Sequence, residues 1–166
     1  MKMKVVELVL AVLLTVNASP SRAETESEWI ALSTRIHGGF GAFIPVGIRI
    51  GLDAKDRLKT DPRGLSVLYY TAEKSPCPCI VDGIMLATHA SPGQGTLQIA
   101  VEKAPSDLIA VAIIRSRKTG EGLRYTVTDE WLPNILGWNK TFDPAGRYQE
   151  AMKAEGLFQV TPIPAR

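Results

Sequence analysis

Residues 109–114 read Ile-Ala-Val-Ala-Ile-Ile, and this unbroken apolar run constrains the fold more than any other segment. We predict a strand at 108–116 around this run. A strand that is apolar on both faces is expected at the centre of a sheet, with both of its faces covered. The turn-forming residues 118–122 follow, and then a second strand at 123–128, which is typical of a hairpin. Further strands are predicted at 65–71 and 96–102, with a short edge strand at 157–160.

An apolar stripe with helical spacing runs through residues 43–58. Its members recur at intervals of three and four: Phe43, Val46, Ile50, Ala54 and Leu58. Gly47 and Gly51 also lie within this helix, where each glycine costs about 1 kcal/mol relative to alanine. The two glycines therefore predict close packing of this helix against another element.

Four further helices are predicted, the first a short one around Trp29 within residues 24–33 and the second at 80–88. Asp129 is expected to cap a third, which runs to residue 136. Asp143 is expected to cap a fourth, which runs from 144 to 154 and is terminated by the glycine that follows at Gly156. The tail from residue 161 carries two prolines and is expected to be irregular. These elements predict an α+β fold, with a mixed, mainly antiparallel sheet packed with helices in a single domain at 24–166.

The first 23 residues have the pattern of a secretory signal peptide. Lys2 and Lys4 precede the apolar run 5–16, and small residues stand at the end of the segment. A span of about 20 apolar residues is needed to cross a bilayer, so this run is too short for a membrane anchor. We expect residues 1–23 to be removed and the protein to be periplasmic or secreted. The alternative is a buried amphipathic helix, which only Glu7 favours.

The positive charge of the chain belongs to that first segment. Lys2, Lys4, Arg22 and Glu7 give it a net charge of +2, which equals the net charge of the whole chain. The remaining domain is therefore formally neutral, and nothing in it favours nucleic acid or an anionic membrane as a partner. We expect a small molecule or a metal ion as the partner instead.

The side chains with the most distinctive chemistry are the two histidines and two cysteines of the chain. His37 opens a turn with Gly38 and Gly39, and His89 stands shortly before a second glycine loop, with Gly93 and Gly95. Cys77 and Cys79 flank Pro78. Thiolate and imidazole are the preferred ligands of zinc and related metals. A disulfide between residues two apart would close a tight ring, so it is not expected to act as a stabilising staple.

Four short motifs, in this order, resemble one known family. They are His37-Gly38-Gly39-Phe40-Gly41, Cys79-Ile80-Val81-Asp82-Gly83-Ile84, Thr88 with Gly93-Gln94-Gly95-Thr96, and Arg117-Lys118-Thr119-Gly120. Over about residues 30–160 the chain resembles the E-subunit domain of formylmethanofuran dehydrogenase and its stand-alone relatives. That resemblance implies a mixed sheet with packed helices, a homodimer and a bound metal ion, usually zinc.

The chain departs from that family at several positions. Gly39 replaces the second histidine of a histidine-glycine-histidine motif, and Gly41-Ala42 replaces a cysteine-proline pair. Cys79 matches a later family cysteine. The loop usually written glycine-lysine-glycine-asparagine has lost its lysine and asparagine, and His89 stands where a glycine is usual. Two of the metal ligands that the resemblance implies are therefore missing.

Helix geometry narrows the candidate site. Cys79 and His89 would lie about 15 Å apart at the two ends of one helix, which is too far for one zinc ion. The first-choice ligands for zinc or another divalent metal are therefore His37 and Cys79, with Cys77 or Asp82, since Asp82 follows Cys79 by one helical turn. Gly38, Gly39, Gly93, Gly95 and His89 belong to the flanking ligand-binding loops, and His89 is either alone or shared across a dimer interface.

Other interpretations of the same residues stay open. In one, Cys79 is a nucleophile of lowered pKa at a helix N-terminus and His37 is its base. In another, Cys77 and Cys79 cycle between dithiol and disulfide in a redox or interaction protein. Structural roles are also open: His37 as a backbone partner, His89 as a surface residue, Asp82 as a first-turn carboxylate, and the cysteines as a buried pair.

Overall fold

The computed structural model describes residues 23–61 and 63–165. In this part of the chain one sheet has five strands in the order β2-β1-β3-β4-β5. The strands are β1 (Leu65–Thr71), β2 (Leu97–Ile99), β3 (Leu108–Ser116), β4 (Gly122–Thr128) and β5 (Gln159–Ile163). The helices are α1 (Glu26–His37), α2 (Phe43–Leu58), α3 (Ile80–Thr88), α4 (Leu132–Thr141) and α5 (Pro144–Lys153).

The sheet confirms the predicted α+β class. Only β1 and β2 run parallel, with α3 as the crossover between them, and the other three pairings are antiparallel. The apolar run of β3 lies at the centre of the sheet, as predicted. The helices cover one face of it, while Ala72 and Ala104 pack over Val111 on the other face. Ile113 is only half-buried, so the second face of β3 is covered over part of its length.

The two glycines of α2 pack closely against α3, as the unfavourable helix propensity of glycine predicted. A Cβ on Gly47 would fall 2.9 Å from the carbonyl carbon of Ile80, and a Cβ on Gly51 would fall 2.7 Å from the Cβ of Ala87. Gly83 of α3 faces α2 in the same way. The backbones of α2 and α3 therefore touch, and this contact fixes the position of α3 on the sheet.

Several sequence predictions on element boundaries were wrong. Helix α1 continues to His37, beyond the predicted residue 33, and β2 ends at Ile99 because the chain then turns over the sheet. Asp129 caps no α-helix, since it lies in a 3-10 turn and pairs with Lys74 at 2.5 Å. Asp143 does cap α5, accepting a hydrogen bond from the Gly146 amide at 2.8 Å.

The tail is also more regular than predicted. Residues 161–163 continue strand β5 and pair with β4, Thr161 opposite Arg124 and Pro162 opposite Leu123. Because β5 is an edge strand, Pro162 is tolerated there without the loss of a hydrogen bond to a second neighbour.

The predicted signal peptide and its alternative, a buried N-terminal helix, fall almost wholly on residues 1–22, outside the described residues. Among the residues that the structure describes, no helix is both long and apolar enough to cross a membrane.

Candidate functional site

The candidate site lies at the carboxyl end of β1, in the one parallel unit of the sheet. The chain leaves β1 at Thr71, passes through the Cys77–Cys79 segment and enters α3 at Ile80. Ligands in open α/β units bind at the carboxyl ends of parallel strands, where helix N-termini point. The site therefore occupies the position that this topology favours.

His37 and Asp82 meet at this position although 45 residues separate them in the chain. The imidazole Nδ1 lies 2.6 Å from Oδ2 of Asp82, and the two side chains are 29% and 34% exposed. A carboxylate only accepts, so Nδ1 carries the hydrogen and donates a hydrogen bond to Asp82. Nε2 is then the ring nitrogen available to a ligand, the arrangement usual in metal-binding histidines.

The glycine turn beside His37 ends α1. Gly38 has a φ of 88°, in the left-handed region that favours glycine, and its amide donates to the Thr34 carbonyl. The Ser33 hydroxyl donates to the Gly39 carbonyl at 2.8 Å. These two contacts fix the direction of the chain after His37, and so they hold the imidazole over α3.

Cys77 and Cys79 form a disulfide, with their Cα atoms 5.3 Å apart. Both residues are half-buried, and Cys79 stands at the N-cap of α3, three residues before Asp82. The disulfide closes only the short loop around Pro78, so it links no distant parts of the fold. Neither sulfur is a free thiol in this form, and no free cysteine is found in the described chain.

The four residues predicted as metal ligands are thus only partly brought together. His37 contacts Asp82, while the two sulfurs are bonded to each other. No group of three or more histidine, cysteine, aspartate or glutamate side chains among residues 23–61 and 63–165 is arranged to hold a metal ion. Zinc therefore does not fit the disulfide form of the site.

Sequence reasoning missed Tyr69, which lies on the core face of β1. Its side chain is fully buried, and its hydroxyl has no hydrogen-bond partner in the part of the chain that the structure describes. Burial, and then the charge of Asp82, raises the pKa of this phenol above its ordinary value. Tyr69 therefore stays protonated close to Asp82. Its place in an apolar strand gave no signal that the charge of Asp82 would act on its hydroxyl.

One family model matches most of the chain, over residues 36–160. Its description is FmdE, molybdenum formylmethanofuran dehydrogenase operon. The chain belongs to the FmdE family. This result confirms the family resemblance of the four sequence motifs, and the match includes His37, Cys77, Cys79 and Asp82. No curated protein matches the chain significantly.

The second glycine loop of this FmdE domain lies at the other end of α3. His89 is the C-cap of the helix, with a φ of 58°, and its carbonyl accepts a hydrogen bond from the Gln94 side chain. Gly93 and Gly95 follow in a 3-10 turn and the residue after it. His89, Gly93 and Gly95 are therefore separated from the His37–Asp82 pair by the length of the helix.

Proposed function

We propose that this FmdE domain is an exported metal- or small-ligand-binding protein whose site is built around His37 and the N-terminus of α3. The observation that carries the proposal is the 2.6 Å contact between His37 and Asp82. A glycine-capped helix end and the first turn of α3 are brought together to make it. Membership of the FmdE family supports an association with metal.

In this proposal, zinc or a similar divalent ion binds only the dithiol form. Reduction by a dithiol breaks the Cys77–Cys79 bond and adds two electrons and two protons, which leaves two thiols at the N-terminus of α3, the helix whose first turn carries Asp82, the partner of His37. A thiol at the N-cap of α3 loses its proton readily, because the helix N-terminus stabilises the thiolate. Two sulfurs and the Nε2 of His37 are a typical zinc donor set. Asp82 would orient the imidazole.

The experiment compares the two forms of metal-free protein from which residues 1–23 have been removed. One sample is reduced with dithiothreitol and desalted without oxygen, and the other keeps its disulfide. Each is mixed with zinc, desalted again and measured for metal by elemental analysis. We expect about one zinc per chain in the reduced sample and none in the oxidised sample. Equal zinc in both samples, or none in either, would contradict the proposal.

Export is tested separately by expressing the full chain in a bacterial host and separating periplasm from cytoplasm. Mature protein that begins at Glu24 in the periplasmic fraction supports export. Unprocessed protein confined to the cytoplasm would contradict it. The homodimer implied by the family resemblance stays a prediction, which sedimentation velocity measures.

The disulfide favours a second candidate function, a thiol–disulfide exchange protein. Cys77 and Cys79 would be oxidised to their disulfide while a disulfide of a partner protein is reduced to two thiols. Mass spectrometry across a series of glutathione buffers would show a gain of two hydrogens at physiological potentials. If Cys77 and Cys79 stay oxidised in every buffer, this function is excluded.

The hypothesis of Cys79 as a nucleophile has less support. It requires a free thiol paired with His37, whereas Cys79 is bonded to Cys77 and the His37 Nδ1 contacts Asp82.

A further inference from the structure

The sheet has one face that the helices leave open. Val67, Tyr69 and Ile114 point into the helix-covered core, so their neighbours along each strand point the other way. On that second face Leu68, Tyr70 and Ile113 are half-buried. A solvated face of an antiparallel sheet usually carries polar side chains, and this one is apolar at its centre.

Two adjacent cavities lie on this face, and Ile113 lines both. The first, of about 250 Å³, is lined by Ser66, Leu68, Gln98 and Arg115 among others. The second, of about 210 Å³, is lined by Tyr70, Lys103, Pro105, Val111 and Arg124. Each cavity therefore joins an apolar floor to at least one cation. No acidic side chain of the described chain lines either of them.

Arg115 and Arg124 are diagonal neighbours across two strands. Ile113 pairs with Arg124 in the register of β3 and β4, and Arg115 lies two residues further along β3 on the same face. Diagonal neighbours in a sheet are within reach of long side chains, and like charges placed there repel. The Nη1 of Arg115 is held by the carbonyls of Gly120 and Pro164. The Arg124 side chain makes no hydrogen bond or ion pair to any residue that the structure describes.

We propose that this open face binds a small organic anion with a flat apolar body. Its carboxylate pairs with the guanidinium group of Arg124, which is suited to planar, two-point contact with carboxylates, and Arg115 adds positive charge at the diagonal position. Its apolar part covers Ile113 and Leu68. A second copy of this chain is disfavoured as the occupant, because neither cavity is lined by an acidic side chain that could pair with Arg115, Arg124 or Lys103 of a copy packed face to face.

The probes are 2-naphthoate and its neutral analogue 2-naphthalenemethanol, measured by titration calorimetry on the mature domain at low salt. We expect naphthoate to bind at least tenfold more tightly than the alcohol. Arg124→Gln should weaken naphthoate binding at least tenfold, and Arg124→Lys should weaken it less. The control is Arg35→Gln, which removes the same charge from the exposed end of α1, in the helix layer, and should leave binding unchanged.

Four results would overturn the proposal. The first is that the alcohol binds as tightly as naphthoate, and the second is that naphthoate fails to bind at millimolar concentration. The third is that Arg35→Gln weakens naphthoate binding as much as Arg124→Gln does. A dimer in sedimentation velocity that Arg124→Gln dissociates would also overturn it, because the face would then be occupied by a second copy. Thermal melts of each variant show that a loss of binding is not a loss of folding.

Discussion

Gly47 of α2 and Gly83 of α3 lie against one another, since a Cβ added to Gly83 would fall 2.9 Å from the Cα of Gly47. The same Cβ would fall 2.7 Å from the amide nitrogen of Ile48. Two helix backbones meet at this point, next to Asp82 in the sequence. The contact therefore both packs the core and positions the carboxylate that holds His37.

Gly83→Ala should lower the free energy of unfolding by about 3 kcal/mol or more, because α2 and α3 would have to separate. Gly137→Ala is the matched control. Gly137 lies inside α4, and beyond the backbone of that helix no atom lies within 4 Å of an added Cβ, so alanine there should stabilise the protein by about 0.5–1 kcal/mol. Urea unfolding measures the change in unfolding free energy for both variants. A loss smaller than about 1 kcal/mol for Gly83→Ala would show that the helices can move apart at little cost.

The two fully buried tyrosines should respond differently to loss of their hydroxyl groups. The Tyr125 hydroxyl donates to Asp53 at 2.7 Å, so Tyr125→Phe should cost about 1.5–3 kcal/mol. The Tyr69 hydroxyl has no partner in the described residues, so Tyr69→Phe should be neutral or stabilising. Denaturant unfolding of both variants measures the difference. Equal losses would mean that the Tyr69 hydroxyl has a partner, such as a buried water molecule.

The same two phenols predict a loss of stability at alkaline pH. Burial raises the pKa of Tyr69 and Tyr125, and the Asp53 hydrogen bond raises that of Tyr125 further. Each folded-state pKa lies above the unfolded value of about 10, so the stabilising effect is complete below pH 10 and is lost as the pH rises above it. Each phenol should remove about 1.4 kcal/mol of unfolding free energy per pH unit in that range.

Urea unfolding from pH 8 to 11 tests this, with Tyr125→Phe as the comparison. In the variant, the unfolding free energy should fall less steeply with pH, by the contribution of one phenol. If variant and parent have parallel profiles, Tyr125 ionises in the folded state as readily as in the unfolded state.

The proposed zinc site predicts a graded effect of substitutions in the reduced protein. His37→Gln should abolish zinc binding, since it removes a ligand. Asp82→Asn should weaken binding about 10- to 100-fold, because it disturbs the imidazole without removing a donor. His89→Gln, at the far end of α3, is the control and should bind zinc as the parent does.

Competition with a chromogenic chelator under anaerobic conditions measures these affinities. If His89→Gln loses zinc and His37→Gln keeps it, the site lies at the second glycine loop. Equal effects of Asp82→Asn and His37→Gln would indicate that Asp82 is itself a ligand.

The sequence was sufficient for most of the elements. The predicted limits of α2, β1, α3 and β3 agree with the structure at both ends, because each element has a strong apolar period bounded by turn residues. Prediction from the sequence failed where contacts between distant segments set the limits of a helix or strand. Residues 161–163 are a strand only because β4 offers an unpaired edge, and Asp129 binds Lys74 instead of capping a helix.

The candidate site divides in the same way. The sequence pointed to His37, Cys77 and Cys79 because soft ligands beside tight turns are few in this chain, and to Asp82 because it follows Cys79 by one helical turn. Only the tertiary structure decided that His37 bonds to Asp82, that the sulfurs bond to each other, and that Tyr69 lies buried close to Asp82. These relationships depend on how closely α2 and α3 approach and where α1 ends. Packing between segments far apart in the chain determines both the approach of the two helices and the end of α1. A local pattern of residue types carries no information about that packing.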